Sequence, residues 1–280
     1  MICRVPATSA NMGPGFDSLG VALSLSAEIG LLAGDEMIPD GAHEIDEHHL
    51  AMVAFRRLGG EGRLWEQSPV PMGRGLGYSA AVRLGGLLLA VAQRRVAADP
   101  IAAYGEEVLA IACELEGHAD NAVAAMLGGV VATTGQRSVQ VPLRLDPAVV
   151  VWVPSFTTRT DQSRNKLNAT VPLADAVFNI GRTALLVAAL AAGDIDALRD
   201  ATEDRIHQPG RFAASPRSRA AYNAATDAGA WCAWLSGSGP SVAAMCAVED
   251  AAGIAAALPD DGHSKVLRID HQGAVLETYG

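Results

Sequence analysis

Pro71-Met-Gly-Arg-Gly-Leu-Gly-Tyr-Ser-Ala-Ala81, running into the apolar segment Leu84 to Ala92, is the stretch on which the reading of this chain turns. Gly73, Gly75 and Gly77 alternate, which strips side chains from a short loop and lets backbone N–H groups converge on a bulky anion. Ser79 and the two alanines then open a segment that reads as helix to about Arg94. Unpaired amides and the helix dipole both face such a ligand, so a nucleotide phosphate suits the site. A tight turn before a buried helix fits the same spacing, and the loop alone does not choose.

Two common phosphate loops are excluded. A Walker A loop ends in Gly-Lys-Ser/Thr, whereas Gly77 is followed by Tyr78 and Ser79. A dinucleotide fingerprint is spaced G-x-G-x-x-G, and these glycines fall two and two apart.

Upstream, Pro6-Ala-Thr-Ser-Ala-Asn11 leads into Met12-Gly-Pro-Gly-Phe-Asp17, a strand turning into a sharp bend. Asn11 and Asp17 there suit turn amides. Downstream, Glu116-Gly-His-Ala-Asp-Asn121 holds Glu116, His118, Asp120 and Asn121 in six positions, too many polar groups for packing alone. Thr160 and Arg164 lie one helical turn apart in a polar segment from Thr157 to Leu167. His48 and His49 are adjacent, so they point apart and read as surface residues rather than metal ligands.

The 280 residues, half of them hydrophobic, suffice for one large core or two modest ones. A net charge of −10 argues against general affinity for nucleic acid or anionic membrane. Four scattered cysteines without a C-x-x-C pair read as buried thiols in a reducing cytosol. The opening Met1-Ile-Cys-Arg-Val-Pro holds no signal-peptide core, and the greasy runs near Leu84 to Ala92 and Ala184 to Ala192 fall short of the ~18 residues of a membrane span. A soluble, cytoplasmic chain is expected.

Strands are expected over residues 1–10 and 19–33, and two more between Val130 and Pro154, with Val149 to Val153 central. Helices are expected over 48–58, 101–116, 173–192, 195–207, 220–228 and 250–258, with 59–69 turn-rich and a break at Pro209-Gly-Arg211. Strands at Trp231 to Leu235 and Val242 to Val248 flank a second glycine-rich turn, Ser236-Gly-Ser-Gly-Pro-Ser241, and one strand closes the chain. This order is α+β, with a domain boundary near residue 150.

The loop resembles the P-x-x-x-G-L-G-S-S-A-A loop of the GHMP kinases. The opening motif, the loop, Glu116 to Asn121, Val171 to Arg182, Glu203 to Pro209 and Leu235 to Pro240 together resemble the homoserine kinase branch of that family, in order and over nearly the whole chain. The resemblance implies the GHMP kinase fold, with residues 1–150 as a ribosomal-protein-S5-like, ATP-binding domain holding a left-handed βαβ unit. Residues 151–280 would form a ferredoxin-like domain, with the site between the two.

It implies ATP-dependent phosphorylation of the homoserine side-chain hydroxyl, in threonine biosynthesis. ATP phosphates would lie against Pro71, Gly73, Arg74, Gly75, Leu76, Gly77, Tyr78, Ser79 and Ala80, and Mg2+ against Ser79 and Glu116. The amino acid would meet Asn11, Asp17, His118, Asp120, Asn121, Thr160, Arg164 and Arg211, with the arginine forks on its carboxylate. Asn121 and Arg164 would sit closest to the chemistry. An amide takes no proton, so transfer would rely on alignment and charge stabilisation. Homoserine and ATP are the partners implied, without nucleic acid or membrane; a homodimer is left open. Another small hydroxy amino acid, or a weakly catalytic ligand-binding relative, remain alternatives. Three residues depart from the pattern: Tyr78 where a serine is expected, Arg83 in a normally greasy helix, and Gly210 before Arg211, where an aromatic is usual. The stretch between the first two motifs, which shelters adenine in the family, looks shorter.

Overall fold

The computed structural model describes residues 1–32, 34, 36–95, 97–156 and 170–277. Its elements begin β1 (Ile2–Ala10), β2 (Leu19–Leu32), β3 (His43–Glu44), α1 (Leu50–Arg57), β4 (Arg63–Gln67), α2 (Tyr78–Arg94), α3 (Pro100–Glu116), α4 (Asp120–Leu127), β5 (Val130–Thr133) and β6 (Ser138–Val141). They continue with β7 (Ala148–Pro154), α5 (Leu173–Ala192), α6 (Leu198–Ala201), α7 (Gln208–Ala214), α8 (Pro216–Asp227) and β8 (Cys232–Leu235). The chain closes with β9 (Val242–Cys246), α9 (Ala251–Ala257), β10 (Gly262–Arg268) and β11 (Val275–Glu277).

Two sheets organise these elements. In the first, β2 is long enough to serve two partners: Leu19 to Val21 pair with β5, and Glu28 to Leu32 pair with β4. β1 lies along β2 and takes β11 on its other side, so the end of the chain returns to the first sheet. The second sheet, β10-β7-β9-β8, is antiparallel, with helices after β7 and after β9, the β-α-β-β-α-β arrangement of ferredoxin-like domains. β7 is buried along its whole length between β10 and β9, as its unbroken apolar run requires.

α2 is the main packing element of the first half. Its Leu84, Leu87, Leu88 and Val91 are buried with Val5 of β1 and Ile29 of β2, each side chain contributing about 1.5–3 kcal/mol of transfer free energy. Gly86 lets α1 cross it closely, since a Cβ there would stand 2.1 Å from the Ala51 carbonyl oxygen. A second core, built on Trp152, Phe212, Ala233 and Ile254, covers the other face of the second sheet.

Several expectations change. Residues 63–67, expected as turn, form β4, because Leu64 and Trp65 find a buried place beside β2. Between Val130 and Pro154 there are three strands rather than two, and the chain closes on two strands instead of one. The helix expected over 195–207 is only α6, because the Asp204 carboxylate captures the amides of Ile206, His207 and Gln208. A side chain that bonds nearby backbone in this way competes with helix propagation. The break expected at Pro209 is instead the first turn of α7, where proline's missing N–H costs nothing.

α5 is the one described helix long and apolar enough to cross a membrane, at 20 residues. It is nevertheless tied into this fold by polar groups: Asn179 donates to Asp204, Thr183 to the Pro14 carbonyl, and Arg182 to Glu203.

Candidate active site

A cleft of about 470 Å³ opens where the glycine loop, the bend after β1 and the start of α4 meet. Its floor is the loop ahead of α2. Gly73, Gly75 and Gly77 all have φ near +70°, from 68° to 75°, a region open to glycine and strained for other residues. Close approach also demands the last two. A Cβ on Gly75 would lie 2.2 Å from the Ser236 carbonyl oxygen, and one on Gly77 would lie 1.9 Å from Thr8 Oγ1. Ser236 Oγ donates to the Gly75 carbonyl at 2.6 Å, so the two glycine-rich turns brace each other. The first bond of the helix runs from Ala81 N to the Gly77 carbonyl, and the N–H groups of its first turn have no acceptor within the helix. Together with the dipole of α2, they make this end of the cleft attractive to anions.

Ser79 and Glu116 stand at the loop's edge. Ser79 Oγ donates to Glu116 Oε1 at 2.6 Å, and the Arg83 guanidinium contacts both, donating to Ser79 Oγ at 2.7 Å and pairing with the carboxylate. A hydroxyl and a carboxylate oxygen at one point are hard donors of the kind Mg2+ takes. The contact with Arg83 shows that this point accepts positive charge. These residues therefore fit a divalent cation completed by phosphate and water. Among the described residues no group of three or more His, Cys, Asp or Glu forms a cage.

Opposite the loop, α4 begins with Asp120 and Asn121. Asp120 is buried, and its Oδ1 accepts from the Asn121 amide at 2.8 Å and meets His118 Nδ1 at 2.9 Å. Thr8 Oγ1 donates to Asn121 Oδ1 at 2.7 Å, which fixes the amide's orientation.

The third wall is the bend from Asn11 to Asp17. Asn11, Met12 and Asp17 have φ of 71°, 46° and 55°, three left-handed non-glycine residues at the two ends of the bend that the surroundings must hold in place. Asn11 Nδ2 donates to the Gly237 carbonyl at 2.9 Å, while its Oδ1 accepts the Asp17 amide at 3.0 Å. Arg211 Nη1 donates to that same carbonyl at 3.0 Å and lies 3.0 Å from His207 Nδ1.

His207 is fully buried, and its Nε2–H donates to the Gly13 carbonyl at 2.7 Å, leaving Nδ1 as the acceptor for Arg211. Burial holds its pKa below the ordinary value, against the pull of Asp204, so the imidazole is neutral. Asp204 is anchored in turn by Asn179 Nδ2 at 2.6 Å. This relay from α5 to Arg211 is the part that sequence reasoning missed. Asn179 and His207 fall within Val171 to Arg182 and Glu203 to Pro209, stretches that resemble the family and carry no assigned role in the sequence reading. Their signal was polar residues at positions where helix packing calls for apolar ones.

Tyr78 turns away from the loop. Its hydroxyl donates to the buried Glu66 at 2.9 Å and lies 3.1 Å from His49 Nε2, which itself stands 2.9 Å from Glu66. Burial, then the Glu66 charge and hydrogen bond, push its pKa well up. His49 also caps α1, its Nδ1 accepting the Ala51 amide, which corrects the surface reading for His49, while His48 is exposed as expected. Of the expected nucleotide residues, Arg74 and Ala80 do not line the cleft. Arg74 ties the loop to the end of β7 through the Pro154 and Ser155 carbonyls, and Ala80 is buried in the core. The cleft does bring together Pro71, Gly73, Gly75, Leu76, Gly77, Tyr78, Ser79 and Glu116 with Asn11, Asp17, His118, Asp120, Asn121 and Arg211. Thr160 and Arg164 lie outside the described residues.

A glycine loop at a helix start, facing oriented polar side chains across one cleft, defines a phosphotransferase of the GHMP type. Family models agree: residues 48–129 match the GHMP kinases N terminal domain, and residues 186–263 match GHMP kinases C terminal. The chain is 42% identical to homoserine kinase of Gloeobacter violaceus over 267 residues, spanning 88% of this chain and 87% of that one. It is 39% identical to homoserine kinase of Moorella thermoacetica, over 88% and 87% of the two chains. The crystal structure of homoserine kinase from Cytophaga hutchinsonii superposes with a TM-score of 0.79 at 26% identity, covering 98% of this chain and 96% of that one. The chain belongs to the GHMP kinases, in the homoserine kinase family.

Proposed function

We propose that this chain transfers the γ-phosphoryl group of ATP to the side-chain hydroxyl of L-homoserine, giving O-phospho-L-homoserine. The observation that carries the reading is the shared cleft of about 470 Å³, where the glycine loop faces Asn121, Asp120 and Arg211. Phosphoryl transfer asks a protein mainly for positioning and for neutralisation of charge. The loop amides and the N-terminus of α2 would hold the phosphates, and Ser79 with Glu116 would hold Mg2+. That cation, when bound, offsets charge on the phosphate oxygens.

Arg211, locked by His207 and the Gly237 carbonyl, would present its fork to the homoserine carboxylate. Asp17 and Asp120, which line the same cleft, would meet the ammonium. Asn121 would orient the attacking hydroxyl, its side-chain Oδ1 accepting from Thr8 Oγ1 and its Nδ2 donating to Asp120 Oδ1 at 3.3 Å. An amide accepts no proton, so the rate comes from in-line alignment and electrostatic stabilisation rather than from base catalysis.

The test is ADP release with ATP and Mg2+ across homoserine, serine, threonine, mevalonate and galactose. Release with homoserine well above the others is expected. Equal release without any acceptor, or preference for mevalonate or the sugar, would overturn the assignment.

A further inference from the structure

Arg83 has no part in the chemistry above, yet it sits at the point where that chemistry needs a cation. It lies one helical turn beyond Ser79 on α2, and helical side chains lean back toward the N-terminus, so this geometry delivers its guanidinium to the Ser79 hydroxyl. The same nitrogen pairs with Glu116, whose side chain is 7% exposed against 20% for Arg83. A charge-assisted contact so little exposed is screened weakly by solvent. Ser79 Oγ and Glu116 Oε1, the two oxygens that meet at the candidate Mg2+ position, are therefore engaged by a positive charge covalently tethered to the chain. A guanidinium and a divalent cation cannot share one carboxylate oxygen at contact distance, because their own repulsion would cancel the gain.

We propose that Arg83 is the resident counter-ion of the Ser79–Glu116 pair, and that the divalent cation arriving with nucleotide enters by displacing it. Arg83 is thus a positioning residue that sets how strongly nucleotide binding depends on metal. With arginine present, metal-free nucleotide meets a neutralised Glu116, and Mg2+ must first break an ion pair. Without it, metal-free nucleotide meets a bare carboxylate that repels phosphate, while Mg2+ finds its oxygens open. Both changes push the metal dependence the same way.

The inference rests on the reading of Ser79 and Glu116 as metal ligands, and one experiment separates the two. Calorimetry measures the affinity of a non-hydrolysable ATP analogue at saturating Mg2+ and again in EDTA, and the ratio of the two affinities is the linkage. Arg83→Met should raise that ratio about tenfold, the scale of one charged hydrogen bond, and Arg83→Lys should stay near the unaltered chain. Glu116→Gln should collapse it. If Glu116→Gln keeps the ratio of the unaltered chain, the metal lies elsewhere and the inference falls with that assignment. If Glu116→Gln collapses it but Arg83→Met matches the unaltered chain, the metal site stands and the role of Arg83 is overturned. Should Arg83→Met fail to fold, the unaltered chain still decides by NMR. The Arg83 guanidinium signal should move when Mg2+ joins the bound analogue, and an unmoved signal would overturn the displacement.

Discussion

The two sides of the cleft are built by opposite means. The phosphate side is mostly backbone: a loop of alternating glycines, a helix start, and the close approaches that seat Gly75 against the Ser236 carbonyl and Gly77 against the Thr8 hydroxyl. The loop and the helix start are contiguous in sequence, and Thr8, Glu116 and Ser236 reach them from elsewhere. The acceptor side is side chain, assembled from the bend after β1, α5, the loop before α7, α7 itself and the turn after β8, through Asn179, Asp204, His207 and Arg211. A site made of backbone tolerates no added atoms. A site made by a relay of side chains fails by loosening instead, one partner at a time.

That difference predicts a graded series of damage. Gly75→Ala should do most harm, because the new Cβ meets a carbonyl oxygen at 2.2 Å in a region of φ that L-residues avoid. A loss on the order of 3 kcal/mol of stability, with nucleotide binding abolished, is expected from thermal melts and calorimetry. A variant as stable as its parent would show that the loop is looser than its contacts imply.

His207→Gln should act on one side only. It removes the acceptor that fixes Arg211, and about a tenfold rise in KM for homoserine is expected, with little change in KM for ATP. The same residue gives a pH signature. Its pKa when folded lies below the ordinary 6.5, so the unfolded chain binds the extra proton first as pH falls. The stability it supports is full above 6.5 and is lost as pH falls below that value toward the depressed folded one. Denaturant titrations between pH 7 and 5 should show a steeper decline for the parent than for His207→Gln, by at most about 1.4 kcal/mol per pH unit. Parallel declines would mean that His207 does not stay neutral.

Tyr78→Phe should have the smallest effect on turnover. It strips one donor from the buried Glu66, so about 1–2 kcal/mol of stability is expected to go while kcat holds. A large fall in kcat at saturating ATP would put the hydroxyl in the phosphate site after all.

What the sequence disclosed follows the same division. Backbone geometry leaves glycines at fixed offsets, so the loop was readable as a place where backbone approaches a ligand, and Gly13 and Gly237 as a sharp bend and a second turn. Helix α2 was readable from its apolar run, and β7 from its unbroken one. The relay was not readable, because Asn179 and His207 become neighbours of Pro14 and Gly13 only after α5 and α7 pack on the bend. Nor could periodicity show that Asp204 ends a helix that its flanking residues favour. β4 was hidden for a related reason: a five-residue strand between Gly62 and Pro69 is defined by the pairing partner it finds in β2. Tyr78 and Arg83 stood out as departures from the family pattern, and both prove to be paired with a glutamate, Glu66 and Glu116.

If the two sides are separable, homoserine binding without nucleotide should respond to one and ignore the other. Calorimetry of homoserine on the parent, Glu116→Gln and Arg211→Gln measures this directly. The parent and Glu116→Gln should bind with affinities within about twofold of each other, and Arg211→Gln at least about tenfold more weakly. Undiminished binding by Arg211→Gln, or an equal loss in Glu116→Gln, would contradict the placement of the amino acid opposite the loop.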